Sequence, residues 1–263
     1  METILEVFLI FLGLLLANSL FRHSKLLTPT VFILAPLIFL PVWILEYHFN
    51  WFFWAKMFSV TFGISLLFVC GNTQLSQKPW IYSLIWIVFA VNIAEATLYD
   101  LLASHTMQYI NVITGLILII TLPGPSAMKI DTTSPQRDFC WDMSYHWIIT
   151  YTLWNWLFVY GNWPGIGSRY HLAVLAASLF IALFHRTRWA EARAFTLGTY
   201  FVIWFFFKPY FDHIPEVSSW YNPDVYLIFA FLVLCVALSL FAKSVDFKGV
   251  ARRVQTIALR ANK

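Results

Sequence analysis

Apolar stretches of about 20 residues recur along the chain, separated by short polar breaks. A helix needs roughly 20 apolar residues to cross the ~30 Å hydrocarbon core of a bilayer. Nine windows are predicted to do so: 4–21, 27–45, 51–70, 80–99, 106–122, 143–161, 167–184, 194–211 and 225–242. The pattern therefore predicts an all-α, polytopic transmembrane helical bundle of about nine spans, formed by residues 1–242.

Composition excludes the main alternatives to a membrane protein. Of the 263 residues, 60% are hydrophobic and 11% are charged, whereas ordinary soluble chains carry roughly 25% charged residues. Three cysteines without a CxxC spacing predict neither a disulfide framework nor a thiolate metal site. The sequence also lacks Walker A, GxGxxG, GxSxG and HExxH motifs. The sequence therefore predicts no cofactor-binding or metal-binding residues, and it leaves open whether a cofactor is used.

The distribution of Lys and Arg predicts the orientation. With the N-terminus outside, 14 of the 17 cations fall in inner segments, among them Arg193, and only Lys56, Arg169 and Lys208 fall in the outer half. Cytoplasmic loops collect Lys and Arg, which also explains the net charge of +4 without nucleic acid as a partner. The prediction is a plasma-membrane protein, in the inner membrane if the source is bacterial, with a cytoplasmic C-terminus.

Residues 243–263 are too polar to span a bilayer. Apolar residues recur there at helical spacing, and Lys and Arg lie between them. The segment is interpreted as a basic amphipathic tail that lies on the anionic inner leaflet, so membrane lipids are predicted partners. A solvated, frayed tail is the alternative.

Polar residues in five predicted spans fall at a similar estimated depth near the outer ends: Lys56, Asn92, Glu95, Asn111, Asn155 and Lys208. Tyr99 shares a helix face with Asn92 and Glu95. A carboxylate in hydrocarbon costs a few kcal/mol, so Glu95 needs a partner. Lys208 has the stronger claim because Pro209 can bend its helix, and Lys56 is the alternative.

This polar layer favours a carrier as the leading functional hypothesis. It is interpreted as an outward-facing cavity of a transporter for a small solute or ion, with these residues as candidate ligands. The alternative is structural: the lysines reach the interface and the asparagines bond neighbouring helices. Four histidines fall on the outer side: His48, His105, His171 and His213. They are interpreted as unlinked surface residues, and a zinc or copper site is the alternative if their loops converge.

Two further hypotheses belong to other classes. Asp142 and His146, four residues apart, are candidate acid/base residues of an enzyme that acts on a lipid or isoprenoid head group at the cytoplasmic interface. A helix cap beside an interfacial histidine is the structural alternative. A non-catalytic assembly or sensor subunit is the third hypothesis.

One segment resembles the signature of a bacterial multi-pass membrane family of unknown function. It comprises residues 141–164, with the sequence WDMSYHWIITYTLWNWLFVYGNWP. The resemblance covers one helix and its exit loop. It implies no activity and assigns no functional residue.

Overall fold

A computed structural model describes residues 2–103, 108–213 and 220–244, and these residues are predominantly helical. The helices are α1 Glu2–His23, α2 Leu27–Glu46, α3 Trp51–Asn72, α4 Pro79–Leu102, α5 Gln108–Ile120, α6 Tyr145–Asn162, α7 Ile166–Phe184, α8 Trp189–Phe206, α9 Lys208–Asp212 and α10 Pro223–Ser244. Strands β1 (Met128–Ile130) and β2 (Phe139–Trp141) form an antiparallel hairpin between α5 and α6. The predicted tail lies outside the described residues, apart from its first two.

Six of the described helices are long and apolar enough to cross a membrane: α1, α2, α3, α4, α7 and α10. This statement rests on length and composition. Helix α5 is apolar but has only 13 residues, and α6 and α8 carry more polar residues along their 18 residues each. Each of the nine predicted windows nevertheless coincides with a helix.

Six helices form a closed ring, in which α3, α4, α5, α6, α7 and α8 contact one another in that cyclic order. Outside the ring, α10 packs against α5 and α6, α1 against α7 and α8, and α2 against α3 and α8. The large side chains of Trp147 and Trp154 on α6 and of Trp189 and Phe205 on α8 are at most 1% exposed. Helices α6 and α8 therefore lie inside the protein, where a polar side chain can bond another helix.

The structure corrects the boundaries of the eighth predicted span. Helix α8 begins at Trp189 and ends at Phe206, whereas the sequence predicts residues 194–211. The prediction ended the preceding loop at Arg193 because it equated charge with exposure, but Glu191 and Arg193 are buried. At the other end Pro209 has no N–H to donate, and the short helix α9 begins beside it.

A cluster of ion pairs fastens the hairpin to α1 and α8. Arg22 donates to both carboxylate oxygens of Asp138 at 2.8 Å, and Arg188 lies within 3.8 Å of both Asp138 and Glu191. Glu191 also accepts a hydrogen bond from the backbone N–H of Phe139 at 3.0 Å. We call these residues the hairpin cluster. They hold the hairpin across the end of the bundle where α1 ends and α8 begins.

Gly115 marks a close approach of α5 to its neighbours, and Gly115→Ala is expected to destabilise the protein by about 1–3 kcal/mol, the usual cost of overpacking. The added Cβ would overlap Thr97 Oγ1 and lie 3.1 Å from the Trp154 ring. That ring is held by a hydrogen bond from its Nε1 to the carbonyl of Asn111 at 2.9 Å. Thermal unfolding in detergent measures the change.

Gly13→Ala is the matched control, since nothing lies within 4 Å of a Cβ at that position of α1. Alanine stabilises a helix interior by roughly 0.5–1 kcal/mol relative to glycine. The two substitutions should therefore shift the melting temperature in opposite directions. Equal shifts would show that α5 does not pack as closely as described.

Candidate functional site

A cavity of about 400 Å³ lies at the end of the bundle where α3 begins and where α6 and α8 end. We call it the main cavity. Its polar lining comprises His48, Asn50, Lys56, Asn92, Asn155, His171, Arg193, Tyr200 and Lys208. Its wall is aromatic and includes Phe49, Phe52, Phe53, Phe158, Trp163, Phe201, Trp204 and Phe211. No Asp or Glu is among the described residues that line it.

Lys56 of α3 and Glu95 of α4 form an ion pair beside the cavity, with Nζ 3.2 Å from Oε2. Ser59 donates to the same Glu95 oxygen at 3.0 Å and accepts a hydrogen bond from Asn92 Nδ2 at 3.3 Å. Lys56 also donates to the backbone carbonyl of Asn92. These contacts join α3 to α4 and neutralise the partly buried Glu95 carboxylate.

The partner of Glu95 is thus Lys56, the second of its two predicted partners. Helices α3 and α4 are neighbours in the ring, which puts Lys56 directly opposite Glu95. Lys208 follows the end of α8, and its Nζ lies 5.6 Å from the ring centroid of Phe49 and 5.5 Å from that of Trp204. The sequence gives depth along a helix but not lateral position, so it could not choose between the two lysines.

Arg193 of α8 lies deep in the cavity and is 2% exposed. Its Nη2 donates to Asn155 Oδ1 of α6 at 3.0 Å, and His171 Nε2 of α7 lies 2.6 Å from the same oxygen. The guanidinium carbon lies 5.9 Å from the ring centroid of Tyr151, which stacks on Trp147. The Nε and Nη1 atoms of Arg193 are buried without a hydrogen-bond partner. This guanidinium therefore keeps donors for a ligand.

Asn111, another predicted member of the layer, belongs to a different buried network. Its Nδ2 donates to Asp100 Oδ2 at 2.7 Å, and Asn162 Nδ2 donates to Asp100 Oδ1 at 2.6 Å. Gln108 in turn donates to Asn162 at 3.0 Å. The predicted polar layer therefore divides between the cavity and this α4–α5–α6 contact. Tyr99 stacks on Trp163 with ring centroids 5.2 Å apart.

Asp142 and His146 lie at the opposite end of the bundle, and the structure does not bring them together. Asp142 precedes α6 and pairs with Arg186 at 2.7 Å, with a side chain that is 64% exposed. His146 Nε2 lies 3.1 Å from Ser239 Oγ of α10. Ser144 caps α6 by accepting a hydrogen bond from the N–H of Trp147. The described contacts of Asp142 and His146 hold loops and helices together.

A smaller cavity of about 60 Å³ lies on the other side of Arg193. It shares Asn92, Arg193 and Leu197 with the main cavity and extends to Phe139 and Trp141 of the hairpin. We call it the small cavity. Arg193 thus lines two spaces that extend toward opposite ends of the bundle.

Sequence reasoning missed Arg193 and His171 as site residues. Arg193 was counted as an inner-loop charge, and His171 was interpreted as an unlinked surface histidine, yet it is 5% exposed. The sequence does indicate that Arg193 faces the cavity, once α8 is known to begin at Trp189. Arg193, Leu197 and Tyr200 are then spaced i, i+4 and i+7, and so share one helix face.

Comparison with known proteins gives a family but no activity. Residues 1–256 match the model of a family of unknown function (DUF5692). This confirms the resemblance to such a family seen in residues 141–164 and extends it over nearly the whole chain. No curated protein and no solved structure matches the chain.

Proposed function

Because this chain belongs to that family of unknown function, we propose a role from its own geometry: it is a membrane carrier for a small solute. The solute binds in the main cavity and passes Arg193 into the small cavity. The proposal includes nine spans, an outside N-terminus, a cytoplasmic C-terminus and a plasma-membrane location. The proposal keeps the carrier hypothesis from the sequence, but it assigns the central binding group to Arg193 instead of Glu95.

The observation that carries the proposal is the pair of cavities on either side of Asn92, Arg193 and Leu197. A carrier needs a binding site that can be reached in turn from each side of the membrane. Such sites lie near the bilayer midplane, between helices of a bundle. An enzyme for a lipid head group would instead need a one-sided pocket that holds its acid and base, and neither Asp142 nor His146 lines either of the two described cavities.

The nine-span topology is supported by the burial of the polar helices. Spans that face other helices need not be as apolar as spans that face lipid, because their polar groups bond within the bundle. Helices α6 and α8 are buried in this way. With the N-terminus outside, the main cavity faces the outside and the hairpin faces the cytoplasm.

Two-sided access to Leu197 is the expected result that tests this function. A Leu197→Cys thiol should react with a small, membrane-impermeant thiosulfonate both in intact cells and in inverted membrane vesicles. The reason is that a carrier opens its central site to each side in turn. Labelling from one side alone would contradict the carrier proposal and favour a one-sided binding pocket.

Control positions make the labelling interpretable. Thr132→Cys, in the exposed hairpin loop, should react only in inverted vesicles, which also tests the orientation. Ala177→Cys, at a fully buried position of α7, should react in neither preparation. The native Cys70, Cys140 and Cys235 are first replaced by alanine. Burial raises the pKa of the Cys140 thiol, so this residue would react slowly in any case.

A further inference from the structure

The chemistry of the main cavity identifies a class of ligand. We propose that the cavity binds an organic monocarboxylate with an apolar body, and that the carboxylate contacts the guanidinium of Arg193. This inference rests on the proposed carrier function, because it names the solute of the same site. Its tests measure charge selectivity and binding, so they are separate from the test of two-sided access.

The first argument is a count of charges around the deep part of the cavity. Lys56 is neutralised by Glu95, which lies 3.2 Å away. Glu191, two residues before Arg193, belongs to the hairpin cluster and lies within 3.9 Å of Arg22 and Arg188. Arg193 has no ion pair among the described residues, where its side-chain partners are the neutral amide of Asn155 at 3.0 Å and the ring of His171 at 3.4 Å.

A buried charge is normally paired, because its removal from water is costly. Arg193 is 2% exposed, and two of its three side-chain nitrogens have no hydrogen-bond partner. A bound anion would supply both the missing charge and the missing acceptors. At the deep end of the cavity, one guanidinium without an ion pair among the described residues matches one negative charge, and its planar shape matches the geometry of a carboxylate.

The wall of the cavity indicates the rest of the ligand. Phe53, Phe158, Trp163 and Trp204 present apolar rings to the space. The volume of about 400 Å³ falls within the range of sites for small organic molecules, roughly 300–1,000 Å³. A bare inorganic anion would leave these rings without a contact. A carboxylate attached to an aromatic or aliphatic body fills both parts of the site.

The first test compares reagents of opposite charge at one thiol. In Leu197→Cys, an anionic sulfonatoethyl thiosulfonate should react faster than a cationic trimethylammonioethyl thiosulfonate, after correction for their rates with a free thiol. When Arg193→Gln is added to this variant, the ratio of the anionic to the cationic reaction rate should fall about tenfold or more. The reason is that the substitution removes the positive charge of Arg193, one helical turn away. An unchanged ratio, or faster reaction of the cationic reagent, would overturn the proposal.

The second test measures binding directly. Titration calorimetry of the detergent-purified chain should show binding of 3-phenylpropionate and none of its neutral amide. Arg193→Gln should weaken the binding by about 10- to 100-fold, the range of a hydrogen bond to a charged group. Lys129→Gln, which removes the same charge from an exposed strand position, should leave it unchanged.

The remaining outcomes separate this inference from the carrier proposal. Binding of chloride or inorganic phosphate as tightly as 3-phenylpropionate would refute the proposal that the ligand is an organic monocarboxylate. Carboxylate binding that depends on Arg193, combined with labelling of Leu197→Cys from one side only, would keep the ligand class and refute the carrier. Arg193→Lys keeps the charge, so it should retain the preference for the anionic reagent while binding 3-phenylpropionate more weakly.

Discussion

Lys56→Met is expected to lower the free energy of unfolding by about 3–5 kcal/mol, the typical cost of breaking a buried ion pair from one side. The substitution would leave the Glu95 carboxylate without its cation in a site where its side chain is only 13% exposed. Glu95→Gln should also destabilise, because it leaves Lys56 as an unpaired charge. Thermal unfolding in detergent measures both effects.

The double variant Lys56→Met/Glu95→Gln supplies the decisive comparison. It removes both charges, so it should lower the free energy of unfolding by much less than the sum of the two single substitutions. Lys78→Met, at an exposed position before α4, should change stability little. Simple additivity of the two losses would mean that Lys56 and Glu95 do not interact, and Lys208 would become the next partner to test.

Asp138→Asn is expected to produce the second large effect, also about 3–5 kcal/mol of lost stability. Asp138 accepts two hydrogen bonds from Arg22 at 2.8 Å and lies 3.7 Å from Arg188. Its substitution would leave two partly buried guanidinium groups with Glu191 as their one remaining carboxylate among the described residues. The hairpin should then open more readily, because the contacts that fasten it to α1 and α8 are lost.

Opening of the hairpin has its own measurement. Phe139 and Trp141 of the hairpin line the small cavity, so Asp138→Asn should speed the labelling of Leu197→Cys in inverted vesicles and not in intact cells. Asp142→Asn is the matched control, since its pair with Arg186 is exposed and such pairs contribute about 0–1 kcal/mol. Equal effects of the two substitutions would show that the hairpin cluster does not close this end.

The fold was largely predictable, because apolar runs of span length dictate helices. Each of the nine windows overlaps a helix, and the predicted boundaries are wrong where charged residues are buried. At the start of α8, Glu191 and Arg193 look like loop residues in a hydropathy pattern. They are helical and buried because partners on other helices lie against them: Arg22 of α1 lies 3.9 Å from Glu191, and Asn155 of α6 bonds Arg193. Such partners are remote in sequence, so a local pattern cannot reveal them.

The site was predicted only in part, for a related reason. Four residues selected by intramembrane polarity line the main cavity: Lys56, Asn92, Asn155 and Lys208. The same criterion also selected Asn111, which faces Asp100, because residues at one depth can lie on different sides of a bundle. Arg193 was excluded because it was assigned to the inner loop. Helix order around the ring, which the sequence does not specify, decides which polar residues meet.

The position of Arg193 over Tyr151 has an optical consequence. Tyr151 lies between Trp147 and Trp189, with ring centroids 5.4 Å and 5.1 Å away, and neither indole is among the residues that line the main cavity. The guanidinium imposes an electric field on these indoles, and the low dielectric of the interior preserves it. An anion on Arg193 would cancel much of that field and shift the indole emission. Anion binding would therefore change the emission of tryptophans that the ligand does not touch, in addition to that of Trp163 and Trp204, which line the cavity.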